Sequence, residues 1–131
     1  MDYWNLYDKQ VEFASLIGKT LASITGGVDD ERLEFHTTDG ETFLMYHSQS
    51  CCESVYVESI VGDLDDLIGS PILKAEESTS DKTPADYTHE YEPESQTWTF
   101  YKLATIKGYV DIRWFGRSNG YYSESVSFAK V

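Results

Sequence analysis

Three alternating segments run one after another near the end of the chain: Gln96–Leu103, Tyr109–Phe115 and Tyr121–Phe128. Side chains of one kind recur at every second position, the period of a strand with two unlike faces. Lys107-Gly108 turns the first pair, and Arg117-Ser118-Asn119-Gly120 turns the second. Asn119-Gly120 supplies the positive-φ positions of a tight hairpin. A meander of this kind commits the chain to an antiparallel sheet. In its middle strand Val110, Ile112 and Trp114 share one face, and Tyr109, Asp111, Arg113 and Phe115 share the other. In its last strand Tyr122, Glu124, Val126 and Phe128 oppose Tyr121, Ser123, Ser125 and Ser127.

The earlier segments read as further strands joined by turns. Gln10–Gly18 reads as a short helix, or as a segment packed on a sheet, stopped by Gly18. Thr20–Thr25 alternates, and Gly26–Asp30 is a turn. Arg32–Thr37 and Thr42–His47 flank Asp39-Gly40, the dipeptide of a type I′ hairpin turn. Glu53–Ile60 is a strand or the edge of a helix. Asp63 caps a short helical turn that Gly69 closes, and Pro71 precedes an apolar strand. Ser78–Glu94 holds two prolines, many acids and almost no aliphatic residue, so it reads as an acidic exposed loop. The expected fold is α+β. It is a single domain over residues 1–131, with a mostly antiparallel twisted sheet of about six to seven strands and short helices on one face.

Charge divides along the chain. Residues 1–96 hold 21 Asp and Glu against five Lys and Arg, a balance of −16. Residues 97–131 hold five Lys and Arg against two acids, a balance of +3, and the whole chain carries −13. Such a field repels nucleic acid and anionic membranes and attracts basic partners. The chain has 131 residues, of which 40% are hydrophobic and 15% aromatic, enough for one cored domain. No run approaches a membrane span. The acidic, aromatic start MDYWNLYDKQ is unlike a signal peptide. A cytoplasmic location in a host cell is expected.

The residues offer several chemistries. Arg113 shares a strand face with aromatics, and Arg117, Asn119 and Tyr121 lie at the tip of the expected hairpin beside Trp114. Aromatic rings stack on bases and planar guanidinium groups hold phosphates, a combination suited to a nucleotide. A half-buried sheet with Arg113 paired to Asp111 or Glu124 accounts for the same pattern. Asp63, Asp65, Asp66, Glu76, Glu77, Glu90, Glu92 and Glu94 form the acidic alternative, a surface for a basic protein partner. The aspartates lack the ligand spacing of a calcium hand and also suit a helix start. His47, Cys51 and Cys52 are too few for a closed zinc site, and a nucleophilic cysteine lacks a recognisable third member. A disulfide between neighbouring cysteines is strained, so two reduced thiols are expected, one facing the core. The Walker A, nucleophile-elbow and zincin motifs are missing. No cofactor, no metal and no catalysis are expected.

From His47 to Phe128, the chain resembles a family of small phage and prophage proteins of unknown function. The resemblance rests on the H-x-x-x-C-C-E block at His47–Glu53 and the R-W-x-G-x-S-N-G-Y-Y-S-E block at Arg113–Glu124. It implies a setting of host takeover or evasion of host immunity, and transfers no catalytic residue. With the residues, it leads to a non-enzymatic counter-defence protein that binds and sequesters a nucleotide-derived immune signal. The alternative is an acidic nucleic-acid mimic that inhibits a defence nuclease, as anti-CRISPR and anti-restriction proteins do. The expected partner is a host defence component, either a small nucleotide or a basic nucleic-acid-binding protein, without direct contact to nucleic acid or membrane. A homo-oligomer is compatible with either.

Overall fold

The structure is a computed structural model that describes residues 4–131, with side chains from Leu6 onward. Part of the reading of the N-terminal segment falls on Met1–Tyr3 and lies outside the described residues. Eight strands run through the rest: β1 Leu21–Thr25, β2 Arg32–Thr37, β3 Thr42–Tyr46, β4 Ser54–Val61, β5 Lys74–Ser80, β6 Ser95–Thr105, β7 Gly108–Ser118 and β8 Ser127–Lys130. They form two antiparallel four-stranded sheets, ordered β1-β2-β3-β8 and β4-β7-β6-β5. The only helical elements described are 3-10 turns at Trp4–Lys9, Phe13–Leu16 and Leu64–Leu67.

This corrects the α+β expectation of one sheet under short helices. An amphipathic sheet must bury its apolar face, and among the described residues no helix is long enough to cover one. The second sheet does so instead. Leu33, Phe35, Phe43, Met45 and Phe128 of the first sheet share one core with Val55, Val57, Tyr101, Leu103, Val110, Ile112 and Trp114 of the second. The turns plug its margins with Phe13, Leu16 and Leu67. Among the described residues no helix is long and apolar enough to cross a membrane.

The correction originates at the second expected hairpin. Residues 119–126 form no strand, and β8 begins only at Ser127. Local side chains compete with the ladder here. Ser118 Oγ accepts from Gly120 N at 2.9 Å, and Asn119 Oδ1 accepts from Tyr121 N at 2.9 Å. The chain then crosses to the other sheet, where β8 pairs with β3, Phe128 opposite Met45.

Other expectations held with smaller adjustments. Glu53–Ile60 is resolved as strand β4, and Asp63 caps its turn by accepting from Asp65 N at 2.9 Å. The β2–β3 turn is not type I′, because Gly40 has φ +87° while Asp39 stays at negative φ. Only one left-handed residue is needed there, as in a type I turn closed by a glycine bulge. The first three residues of the acidic loop, Ser78, Thr79 and Ser80, belong to β5, so the loop proper is Asp81–Glu94. In β3, Phe43 to Tyr46 are all buried. Leu44, Tyr46 and Ala129 meet Leu6 on the outer side of the first sheet.

Cys51 and Cys52 are bonded to each other and both are exposed, which corrects the expectation of two free thiols with one in the core. Their segment turns away from the sheet before β4 begins, so the alternation rule does not reach them.

Candidate functional site

The outer face of the second sheet carries an unusual set of side chains. Strand alternation sends Val110, Ile112 and Trp114 into the core and turns Asp111, Arg113, Phe115 and Arg117 outward. Register places Trp98 of β6 and Tyr56 of β4 on either side of Phe115. Trp98 and Phe115 stack, with centroids 4.4 Å apart and planes 25° apart. Tyr56 meets Phe115 edge-on at 6.1 Å. Arg113 and Arg117 flank this row on the same strand, four residues and roughly 13 Å apart.

The loop Asp81–Glu94 lies across the row. Tyr87 packs 5.0 Å from Trp98 and 5.7 Å from Phe115, and His89 packs 5.4 Å from Phe115. Thr83 Oγ1, His89 Nε2 and Gln96 Oε1 lie within 2.8–3.0 Å of one another, and Trp98 Nε1 also donates to Gln96 Oε1. The loop is therefore exposed on one side only.

Arg113 is paired with two carboxylates. Its Nε donates to Glu58 at 2.6 Å, its Nη1 donates to Asp86 at 2.9 Å, and its guanidinium lies 5.3 Å from the Trp98 ring. The stacking expected of Arg113 is present, and its partners are Glu58 and Asp86 in place of Asp111 or Glu124. The Glu58 hydrogen bond, then Asp86, holds the guanidinium even more firmly protonated than usual. Arg113 in turn lowers the Asp86 carboxyl. Burial, and then the neighbouring Tyr87, raises the Tyr56 phenol.

Arg117 is exposed, and no ion pair to it is present among the described residues. It opens into a groove of about 400 Å³ lined also by Cys52, Ser54, Glu92, Pro93, Glu94, Ser118, Asn119 and Tyr122. Arg117 and Asn119 of the expected nucleotide site thus meet Glu92 and Glu94 of the acidic alternative. A second hollow of about 210 Å³ lies beside Arg113 and Asp86.

The other expected residues are placed elsewhere. Trp114 is in the core on the opposite face from Arg113, its Nε1 3.1 Å from Met45 Sδ, so a surface ligand cannot reach it. Tyr121 is exposed against Tyr122 at 5.3 Å. Asp63, Asp65 and Asp66 lie by the β6–β7 turn, where Asp66 approaches Gly108. Glu92 and Glu94 lie at the far end of β7, roughly 30 Å away along an 11-residue strand. Glu76 and Glu77 are on β5, where Glu77 accepts from Tyr101 OH at 2.9 Å. The acids form no continuous row.

A buried polar network that sequence reasoning missed ties the first sequence block to Ser125, the residue just after the second. His47 Nε2 lies 2.8 Å from Glu53 Oε2, and its Nδ1 lies 2.7 Å from the Ser125 carbonyl. Glu53 also accepts from Ser50 N at 3.0 Å and Cys51 N at 2.9 Å. Burial alone would raise the Glu53 carboxyl; the hydrogen bonds from Cys51, His47 and Ser50 outweigh it and lower it to about 2. Nearby, buried Glu124 accepts from Thr97 Oγ1 at 2.8 Å and Ser118 Oγ at 2.6 Å. Gly116 lies beneath this crossing: a Cβ there would sit 2.7 Å from Glu124 O. These bonds give His47 and Glu53 a role in fixing the crossover. The sequence signal for it is a His and a Glu bracketing a tight turn. Among the described residues no group of three or more His, Cys, Asp or Glu could hold a metal ion.

No curated protein and no solved structure matches this chain. A family model, a domain of unknown function designated DUF7448, matches residues 14–128. That span includes every strand up to Phe128, both sequence blocks and the whole outer face of the second sheet. The chain belongs to the DUF7448 family.

Proposed function

We propose that this protein is a non-enzymatic binding protein of phage type that sequesters a nucleotide-derived immune signal, and that the outer face of the second sheet is its working surface. One observation carries the reading: Arg113 and Arg117 flank the stacked Trp98–Phe115 pair on a single face. Rings of this kind stack on bases, and guanidinium groups donate bidentately to phosphates. The setting of immune evasion rests on the resemblance of the two blocks to phage proteins. Nothing in the reading needs a cofactor.

Calorimetry against cyclic mononucleotides, cyclic dinucleotides and ADP-ribose derivatives tests it. At least one member should bind in the micromolar range or tighter, and Arg117→Ala should weaken that binding. Failure of every member to bind removes the reading.

The acidic inhibitor stands second, favoured by Glu90, Glu92 and Glu94, which are all exposed on one loop. A basic host protein captured through them should be released by salt, since exposed charges are screened within about 10 Å at 0.1 M. Capture that survives Glu→Gln replacement at all three positions counts against it.

A further inference from the structure

Resting on the nucleotide reading, we infer that the loop Asp81–Glu94 is a strap filling the ligand face with the chain's own substitute for a ring and an anion, and that a nucleotide binds by displacing it. The strap places two neighbouring side chains on the face. Asp86 puts a carboxylate on Arg113 at 2.9 Å. Tyr87 puts an aromatic ring against the Trp98–Phe115 pair, 5.0 and 5.7 Å from the two centroids. A planar ring close to an anion is what a nucleotide presents to such a surface.

The spaces around the strap have the same meaning. Hollows of about 400 Å³ and about 210 Å³ lie at the Arg117 end and the Arg113 end of one sheet face. Tyr87, between them, covers the rings. Moving the strap aside would join the hollows and uncover the stacked pair. It would also carry Asp86, Glu92 and Glu94 away from the face, leaving Glu58 as the partner of Arg113. With the strap in place, those acids oppose a phosphate; with it gone, two guanidinium groups flank the rings.

The strap is held in a way that permits this. Its ties to the sheet involve side chains: Asp86 with Arg113, and Thr83, His89 and the Asp81 carbonyl with Gln96. The Asp86 side chain is 71% exposed, so its ion pair is solvent-screened. Segments without ladder bonds open at lower free energy than the strands beneath them. Apparent affinity falls by the fraction of molecules that are open, so loosening the strap raises it.

The probe is adenosine 5′-monophosphate, titrated calorimetrically at low salt into the full chain and into the Asp86→Asn/Tyr87→Ala variant. The variant should bind at least ~10-fold tighter than the parent, and Arg113→Gln in that background should abolish the gain. Adenosine and ribose 5-phosphate should each gain less than the intact nucleotide, because each satisfies half the face. Equal affinity of parent and variant, including no binding by either up to about 10 mM, overturns the strap. A second measurement leaves the chain unaltered: exchange of amides 82–90 should accelerate with the nucleotide at about 10 mM, and unchanged exchange also overturns it. A panel ligand bound by the parent through Arg117, with no gain in the variant, removes the strap and leaves the proposed function. A gain in the variant with no panel ligand bound by the parent supports the strap and removes that function.

Discussion

Replacing Glu53 by Gln is the sharpest test of the buried network that ties the first sequence block to the Ser125 carbonyl. The Glu53 side chain is fully buried and accepts from Ser50 N, Cys51 N and His47. Its carboxyl is lowered from 4.5 to about 2. At about 1.4 kcal/mol per tenfold change in proton affinity, that corresponds to roughly 3 kcal/mol of stability at neutral pH. The amide keeps the shape but turns an NH2 group towards backbone donors. A buried donor left unpaired costs about 1–3 kcal/mol, the same range reached independently. Because the folded carboxyl is lowered, its contribution is complete above about 4.5 and disappears as pH falls towards about 2. Urea unfolding followed by tryptophan fluorescence at several pH values measures both effects. The parent should lose about 3 kcal/mol across that window beyond what its other carboxyls contribute, and Glu53→Gln should start about 3 kcal/mol lower at pH 7 with a flatter acid profile. A loss under about 1 kcal/mol at pH 7, or an acid profile identical to the parent's, would refute the reasoning.

Three further outcomes follow from the same structure. Gly116→Ala places a Cβ 2.7 Å from Glu124 O and 2.9 Å from Glu124 Cβ, so unfolding should show a loss of about 1–3 kcal/mol from overpacking. Trp114→Ala should cost about 3–5 kcal/mol, because the ring is fully buried between the sheets, and thermal melting checks it. Arg117→Ala, at an exposed position, should change stability by less than about 0.5 kcal/mol while weakening any panel ligand in calorimetry.

The strands of the expected meander were legible because period-two alternation is a local property. Tyr109–Phe115 has the faces its sequence predicts, with Val110, Ile112 and Trp114 inward. The last member of the meander was not legible. Glu124 and Phe128 are buried as the alternation predicts, yet residues 119–126 are irregular. Ser118, Asn119 and Ser123 bond to nearby backbone or hydroxyl groups. The alternation marks which side chains become buried, and it does not reveal whether a partner strand supplies the ladder. The alternation put Arg113 on a strand and Arg117 in the turn after it, whereas β7 runs on to Ser118 and carries both. Trp114 was grouped with them by sequence adjacency, although neighbours on a strand face opposite ways.

The sequence by itself determined that the chain is antiparallel and strand-rich, which residues face inward along β2 and β7, and that acid dominates before residue 97. Those are consequences of local period, turn chemistry and composition. Tertiary structure alone decided that β8 leaves its hairpin neighbour for β3, giving two sheets where one was expected. It also decided that Asp86 and Tyr87 lie on Arg113, Trp98 and Phe115. Both depend on contacts between segments far apart in the chain, which burial and register select only after the sheets have met.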